Sequence, residues 1–187
     1  MPFVIRPATW PDFEELMGEK GGCGGCWCML WRLEKKQMDA QMGEQNRLAM
    51  KAVFEAGQLP GLIAFDGDQP VGWIQVAPRS DFPRLKTSRI LKPIDKADVW
   101  SVACFFIHRS YRRKGVSLQL LQEACNFAQK SGARIVEGYP VEPKKSPYPA
   151  VYAWVGFADV FQKASFEEVA RRSETRPIMR KFLDQFS

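Results

Sequence analysis

Histidine is nearly absent from this 187-residue chain, where His108 is the only one. No histidine pair is therefore available to complete a metal site. Long apolar runs are missing too, which excludes a bilayer-spanning helix by length. The start, Met1-Pro2-Phe3-Val4-Ile5-Arg6-Pro7, lacks the basic opening and apolar core of a secretory signal. An intracellular, cytoplasmic protein is expected. Cysteines are few and odd in number, at five, and in such a setting disulfides are not expected. There is no helix-turn-helix or RNP-like pattern, and the aromatics are not threaded through a basic stripe, so neither nucleic acid nor a membrane is an expected partner. No internal repeat or low-complexity block is present.

What remains is 45% hydrophobic, enough for one substantial core and one domain over residues 1–187. The net charge of +6, from 27 basic and 21 acidic residues, suits an anionic ligand without establishing one. Phe3 to Arg6 reads as a strand, and Thr9 as the N-cap of a helix with Trp10, Phe13, Leu16 and Met17 at helical spacing. Asn46 to Ala56 reads as a second helix. Leu62–Phe65 and Val71–Val76 form an antiparallel hairpin about Asp66-Gly67. Residues 78–97, with Pro78, Pro83 and Pro93, are expected to be a long loop. Val99 to Ile107 has the near-continuous apolar character of a buried strand. Ser117 to Lys130 is an amphipathic helix, and Ile135 to Val141 a parallel strand reached by a right-handed crossover. A short helix at Ala158–Ala164 and closing strands at Phe166–Arg171 and Pro177–Leu183 complete the pattern.

The most informative segment runs from Cys104 to Leu118. It joins an apolar strand to a helix through Arg112-Arg113-Lys114-Gly115-Val116-Ser117. A helix opening presents unpaired N–H groups and partial positive charge. With a glycine permitting close approach and cations beside it, such a turn can hold a pyrophosphate. Taken alone, a basic turn with one glycine also fits an ordinary solvated connection.

This turn and the order of elements resemble the GNAT acyltransferase superfamily, whose turn reads Arg/Gln-x-x-Gly-x-Gly/Ala. Ser117 stands at the final small position. Within the superfamily the chain is similar to a bacterial branch with the phrases Val99-Trp100-Ser101-Val102-Ala103-Cys104-Phe105-Phe106, Glu137-Gly138-Tyr139-Pro140-Val141 and Arg176-Pro177-Ile178-Met179-Arg180. The resemblance implies an α/β fold: a mixed, mostly antiparallel sheet with splayed central strands and flanking helices. It implies an N-acetyltransferase that takes acetyl-CoA as acyl donor and moves the acetyl group directly to an amine. Its pyrophosphate would lie on the amides from Arg113 to Ser117, with Arg112, Arg113 and Lys114 adding charge-assisted contacts. Its pantetheine arm would run along Phe105, Phe106 and Ile107 like an added strand, and Val116 would belong to the same cofactor-binding turn.

Transfer to an amine needs proton removal and a stabilised oxyanion, and often an acid for the departing thiolate. The superfamily often supplies that acid from a Tyr-x-x-x-Gly-Phe phrase. Tyr152 to Phe157 matches literally. Phe161 to Phe166 matches by context, which puts Phe161 at the tyrosine position and Ser165 at the glycine position; this second register is favoured. Tyr152 is then a candidate acid acting from the preceding loop, or a packed loop aromatic. Glu137, in an apolar strand, is a candidate proton relay or a salt-bridged strand residue. Asp98 and Cys104 stand behind them, and His108 is expected on the surface.

Cys23, Cys26 and Cys28 spell C-x-x-C-x-C, in reach of zinc but short of a fourth ligand. The alternative is an acceptor-side loop, with Trp27 and Trp31 touching the amine substrate; these aromatics equally suit a helix core. Four functions stay open: an acetyltransferase for a small-molecule or peptide amine, an acyl-CoA-binding module without turnover, a zinc-stabilised interaction protein and, as a distant fourth, a nucleic-acid binder. A homodimer is a further candidate assembly.

Overall fold

The computed structural model describes residues 3–145, 147–149 and 152–183. In chain order the elements are β1 (Val4–Pro7), α1 (Trp10–Met17), α2 (Lys35–Ala40), α3 (Glu44–Glu55), β2 (Gly61–Asp66), β3 (Gln69–Pro78), α4 (Pro83–Thr87), β4 (Trp100–Ile107), α5 (Val116–Lys130), β5 (Ile135–Gly138), α6 (Ala158–Lys163), β6 (Glu167–Arg171) and β7 (Pro177–Phe182). The strands form one seven-stranded sheet in the order β1-β2-β3-β4-β5-β7-β6. Every neighbouring pair is antiparallel except β4 and β5, which the α5 crossover makes parallel. This is the mixed, mostly antiparallel sheet that the resemblance implies.

β2 and β3 are buried along most of their length, and β4 at residues 101–103 and Phe105, because layers cover both faces. On one face α5 presents Leu120, Leu121, Ala124, Cys125 and Ala128 to Val76, Val102 and Phe105, with Phe161 of α6 beside them. On the other, Phe13 and Met17 of α1 and Met50 of α3 pack with Trp27 and Trp73. Thr9 caps α1 as expected, its hydroxyl accepting from the Asp12 amide. A third cluster, with Phe82, Leu85 and Tyr139, lies under the segment after β3.

Three boundaries differ from the sequence reading. The segment expected as loop at 78–97 contains a 3-10 turn at Arg79–Asp81 and the helix α4. Pro83 stands in the first turn of that helix, where its missing N–H costs nothing, so proline marks a helix start here. The helix α2 escapes a periodicity search because its six residues carry no apolar stripe, and a Glu34–Gln37 capping box starts it. β5 ends at Gly138 instead of Val141: Pro140 has no N–H to continue the ladder, and Val141 bridges to Phe157.

Candidate active site

The β4–β5 ladder closes with Val102 opposite Gly138, while β4 continues to Ile107. The strands separate from that point. A bulge sharpens the divergence: Gln75 pairs with Cys104 and Val76 with Val102, so Ala103 has no partner on β3. Ala103 and Cys104 consequently face the same layer, and β4 bends.

Past Ile107 the chain makes a 3-10 turn at Arg109–Tyr111 and enters α5. Two features leave amides at the entry without side-chain caps. Arg113 and Gly115 both adopt left-handed backbone, with φ of +62° and +79°. Gly115 is the N-cap of α5, offers no capping side chain, and has no acidic residue in the turn after it. The first-turn amides therefore keep their affinity for an anion. Arg112, Arg113, Lys114 and Gly115 are exposed, Ser117 is half-buried, and Val116 anchors the turn in the core. Arg112 folds back so that its Nε donates to the Ile107 carbonyl at 3.3 Å. Lys114 lies 4.9 Å over the Tyr111 ring, whose hydroxyl donates to Asp66 at 2.8 Å and ties the turn to the β2–β3 hairpin. His108, beside this turn, accepts from the Ser110 amide through Nδ1 at 3.4 Å.

The wedge between β4 and β5 is occupied by the chain itself. The Phe105 amide donates to the Trp154 carbonyl at 2.5 Å, and the Val141 amide to the Gly156 carbonyl at 2.9 Å. Residues 154–157 thus form a strap between the diverging strands. Gly156 permits this contact, since its φ is +82° and a side chain there would begin 3.0 Å from the Phe105 and Phe161 rings. The Trp154 ring lies 6.1 Å from that of Trp31.

Glu137 is 1% exposed, and both its oxygens are engaged. Oε2 accepts from Arg180 Nε at 2.6 Å; Oε1 accepts from the Tyr139 hydroxyl at 2.7 Å and faces Arg79 Nη1 at 3.4 Å. Arg180 continues to Asp95 with contacts of 2.6 and 2.9 Å. The Tyr139 hydroxyl also lies 2.8 Å from Ser101 Oγ. Burial, then the neighbouring Glu137, pushes the Tyr139 phenol well above its ordinary range. Tyr139 was not singled out from the sequence, although a tyrosine directly beyond the last paired glycine was the available signal. Tyr152 stands apart from this network; it is 61% exposed, with its ring 6.4 Å from Tyr148. Phe161 is fully buried against Phe105 and Phe166, and Ser165 takes the left-handed backbone of a glycine at φ +65°.

In the segment after α1, Trp27 is buried against Trp10 and Phe13, with ring separations of 6.1 and 6.2 Å. Trp31 is half-buried beneath Arg84, and its indole N–H has no hydrogen-bond partner among the described residues. Gln75 is completely buried; its Nε2 donates to the Cys28 carbonyl at 3.1 Å, and its Oε1 has no partner among the described residues. A polar residue inside the apolar run Val71–Val76 was its sequence signal. Cys28 and Cys104 bring their sulfurs to 3.4 Å. Among the described residues no cluster of three or more metal-donor side chains forms. A cavity of about 660 Å³ lies elsewhere, at the other end of β4, between Arg79, Trp100 and Arg134.

Compared with known proteins, residues 27–157 match the model of the acetyltransferase (GNAT) family. The chain matched no curated protein sequence. Among solved structures it is similar to PaiA N-acetyltransferase from Thermoplasma acidophilum in complex with coenzyme A, at TM-score 0.55 and 16% identity over 98% of this chain and 100% of that one. It is also similar to a ribosomal-protein-alanine N-acetyltransferase from Brucella melitensis, at TM-score 0.56 and 15% identity over 96% and 99% of the chains. A GNAT superfamily phosphinothricin acetyltransferase from Sinorhizobium meliloti in complex with acetyl-CoA gives TM-score 0.54 and 15% identity over 98% and 89%. At such identities these likenesses speak to the fold. No described helix is long and apolar enough to cross a membrane.

Proposed function

Because the chain belongs to the acetyltransferase (GNAT) family, we propose that it moves an acetyl group from acetyl-CoA to an amine in one direct step. The observation that carries this reading is the uncapped opening of α5 behind left-handed Arg113 and Gly115. It lies at the end of the strand that borders the wedge. Amides from Arg113 to Ser117 would hold the pyrophosphate, with Arg112 and Lys114 swinging from their present partners to assist. Phe105 and Ile107 would pair with the pantetheine arm once the Trp154 carbonyl leaves the Phe105 amide, while Phe106 faces the acceptor side.

The amine nitrogen attacks the thioester carbonyl, the carbon–sulfur bond breaks, and the proton shed by the nitrogen is balanced by the one the thiolate gains. Tyr152, two residues from the strap carbonyl, is assigned as the proton donor to sulfur. Glu137 acts indirectly: with both oxygens engaged it fixes Tyr139 and β5 at the apex of the wedge. Trp31, whose indole N–H has no partner among the described residues, contacts the acceptor, and Trp27 forms the wall behind it.

Calorimetry tests the cradle. Ser117→Asp places a carboxylate where the diphosphate would lie and suits the helix start, so the fold should persist. Acetyl-CoA affinity should fall about tenfold or more, near 1.4 kcal/mol per decade. Gly115→Trp should act in the same direction through bulk. Affinity unchanged in both variants contradicts the site.

A second reading, an acyl-CoA-binding module without turnover, is favoured by the buried Phe161 at the tyrosine position. Turnover with a panel of amines decides between the two. Tyr152→Phe should lower the rate without changing acetyl-CoA affinity if transfer occurs.

A further inference from the structure

The C-x-x-C-x-C motif finds an unexpected neighbour in the fold. Its last cysteine lies near Cys26 of the motif and also brings its sulfur to 3.4 Å from that of Cys104 on β4, 76 positions away in sequence. The contact is imposed by the backbone. Trp27 and Cys28 are consecutive non-glycine residues in left-handed conformation, at φ +50° and +57°. Such a pair is held only where the surroundings over-determine it. Here the buried Gln75 donates to the Cys28 carbonyl, and Gln75 is itself the β3 partner of Cys104. One side chain thus clamps the strained loop above the strand residue that its thiol touches. The contact also lies at the β4 bulge, beside Phe105, where the wedge opens.

We propose that Cys28 and Cys104 are an oxidisable dithiol, a modification site that a peroxide closes into a disulfide, fastening the acceptor-side loop to β4. One thiol is oxidised by the peroxide to a sulfenic acid with release of water. The second sulfur attacks the first, the S–O bond breaks, and a second water leaves. In sum, two thiols and one hydrogen peroxide give one disulfide and two waters. Cys104 is partly buried and Cys28 buried, and the contact with Cys28 together with burial raises the Cys104 thiol well above its ordinary range, so the step is slow and calls for peroxide in excess. Closing the sulfurs to about 2.05 Å draws them together by about 1.4 Å. The loop that carries Trp27 and Trp31 moves with Cys28, while the phosphate cradle at the far end of β4 stays in place. Oxidation therefore slows transfer and leaves acetyl-CoA affinity within about twofold, a consequence that rests on the acetyl-transfer reading; the formation of the bond does not.

The experiment treats the folded full chain with hydrogen peroxide, blocks remaining thiols with N-ethylmaleimide in denaturant, and maps linked peptides by mass spectrometry. A Cys28–Cys104 peptide is expected in the wild type, in Cys23→Ser and in Cys26→Ser. It is absent from Cys28→Ser and Cys104→Ser. Since the bond closes a long loop, Tm should rise by about 5 °C on oxidation and return with dithiothreitol. If either serine variant fails to fold, the wild-type peptide map alone decides. Recovery of Cys28 and Cys104 as blocked thiols, a Cys23–Cys26 link as the main product, or stoichiometric zinc in the purified protein would overturn the proposal. Linked peptide together with no acetyl-CoA binding by the reduced protein would sink the transfer reading and leave the dithiol standing.

Discussion

Arg180 shows how single side chains set the shape of the wedge. It is 4% exposed and shares its guanidinium between Glu137 on β5 and Asp95 from the segment before β4. Removing one member of a buried ion pair leaves an uncompensated charge, so Glu137→Ala should lower unfolding stability by about 3 kcal/mol in urea titrations. Tyr139 should lose its anchor in the same variant. A loss of transfer rate with unchanged stability would instead assign Glu137 to the chemistry. The Asp95 carboxyl is lowered from 3.8 to about 2, first by hydrogen bonding to Arg180. A depressed folded value means that its contribution is present above about 4 and drains away as pH falls toward 2. Asp95→Asn should lower Tm at neutral pH, have little effect near pH 2, and so flatten the acid limb of Tm against pH over that window. The partnership of Glu137 was half legible in the sequence. A carboxylate in an apolar strand demands a partner or a task, but its two arginines lie 58 and 43 residues away, at distances no local pattern reveals.

Among the elements, the strap tests most directly how the wedge opens. Its Trp154 carbonyl takes the Phe105 amide that a pantetheine arm would use, and its Trp154 ring rests against Trp31. Binding the donor must first pay for displacing it. Trp154→Gly removes the ring contact and should tighten acetyl-CoA binding about two- to fivefold by calorimetry, as the closed form loses population. Weaker binding would make the strap part of the donor site. Gly156→Ala sets a methyl group against two rings in a left-handed conformation. It should cost about 1–2 kcal/mol of stability. The strap was invisible in the sequence because its bonds are made by backbone groups, and backbone carries no residue signature. Strands and the long α5 were legible because alternation and helical spacing are local. The helices α2 and α4 were not, being too short to carry a period.

For the molecule as a whole, the succession of elements locates chemistry more reliably than any single residue does. A parallel β4–α5–β5 unit inside an antiparallel sheet creates one place where neighbouring strands can part, and the basic turn stands at its edge. That placement was legible: an apolar strand, a glycine turn and an amphipathic helix follow one another in sequence. Trp27 and Trp31 were readable as candidates, but the meeting of Cys28 with Gln75 and Cys104 was not, because these residues come from separate segments that only the fold assembles. The central claim is that the opening of α5 holds the diphosphate of acetyl-CoA. Crystals grown with acetyl-CoA test it most directly. The account predicts pyrophosphate density on the amides of residues 113–117 and a thioester between β4 and β5 where the Trp154 carbonyl now lies. A fully bound nucleotide with its diphosphate elsewhere, over an empty turn, would contradict it.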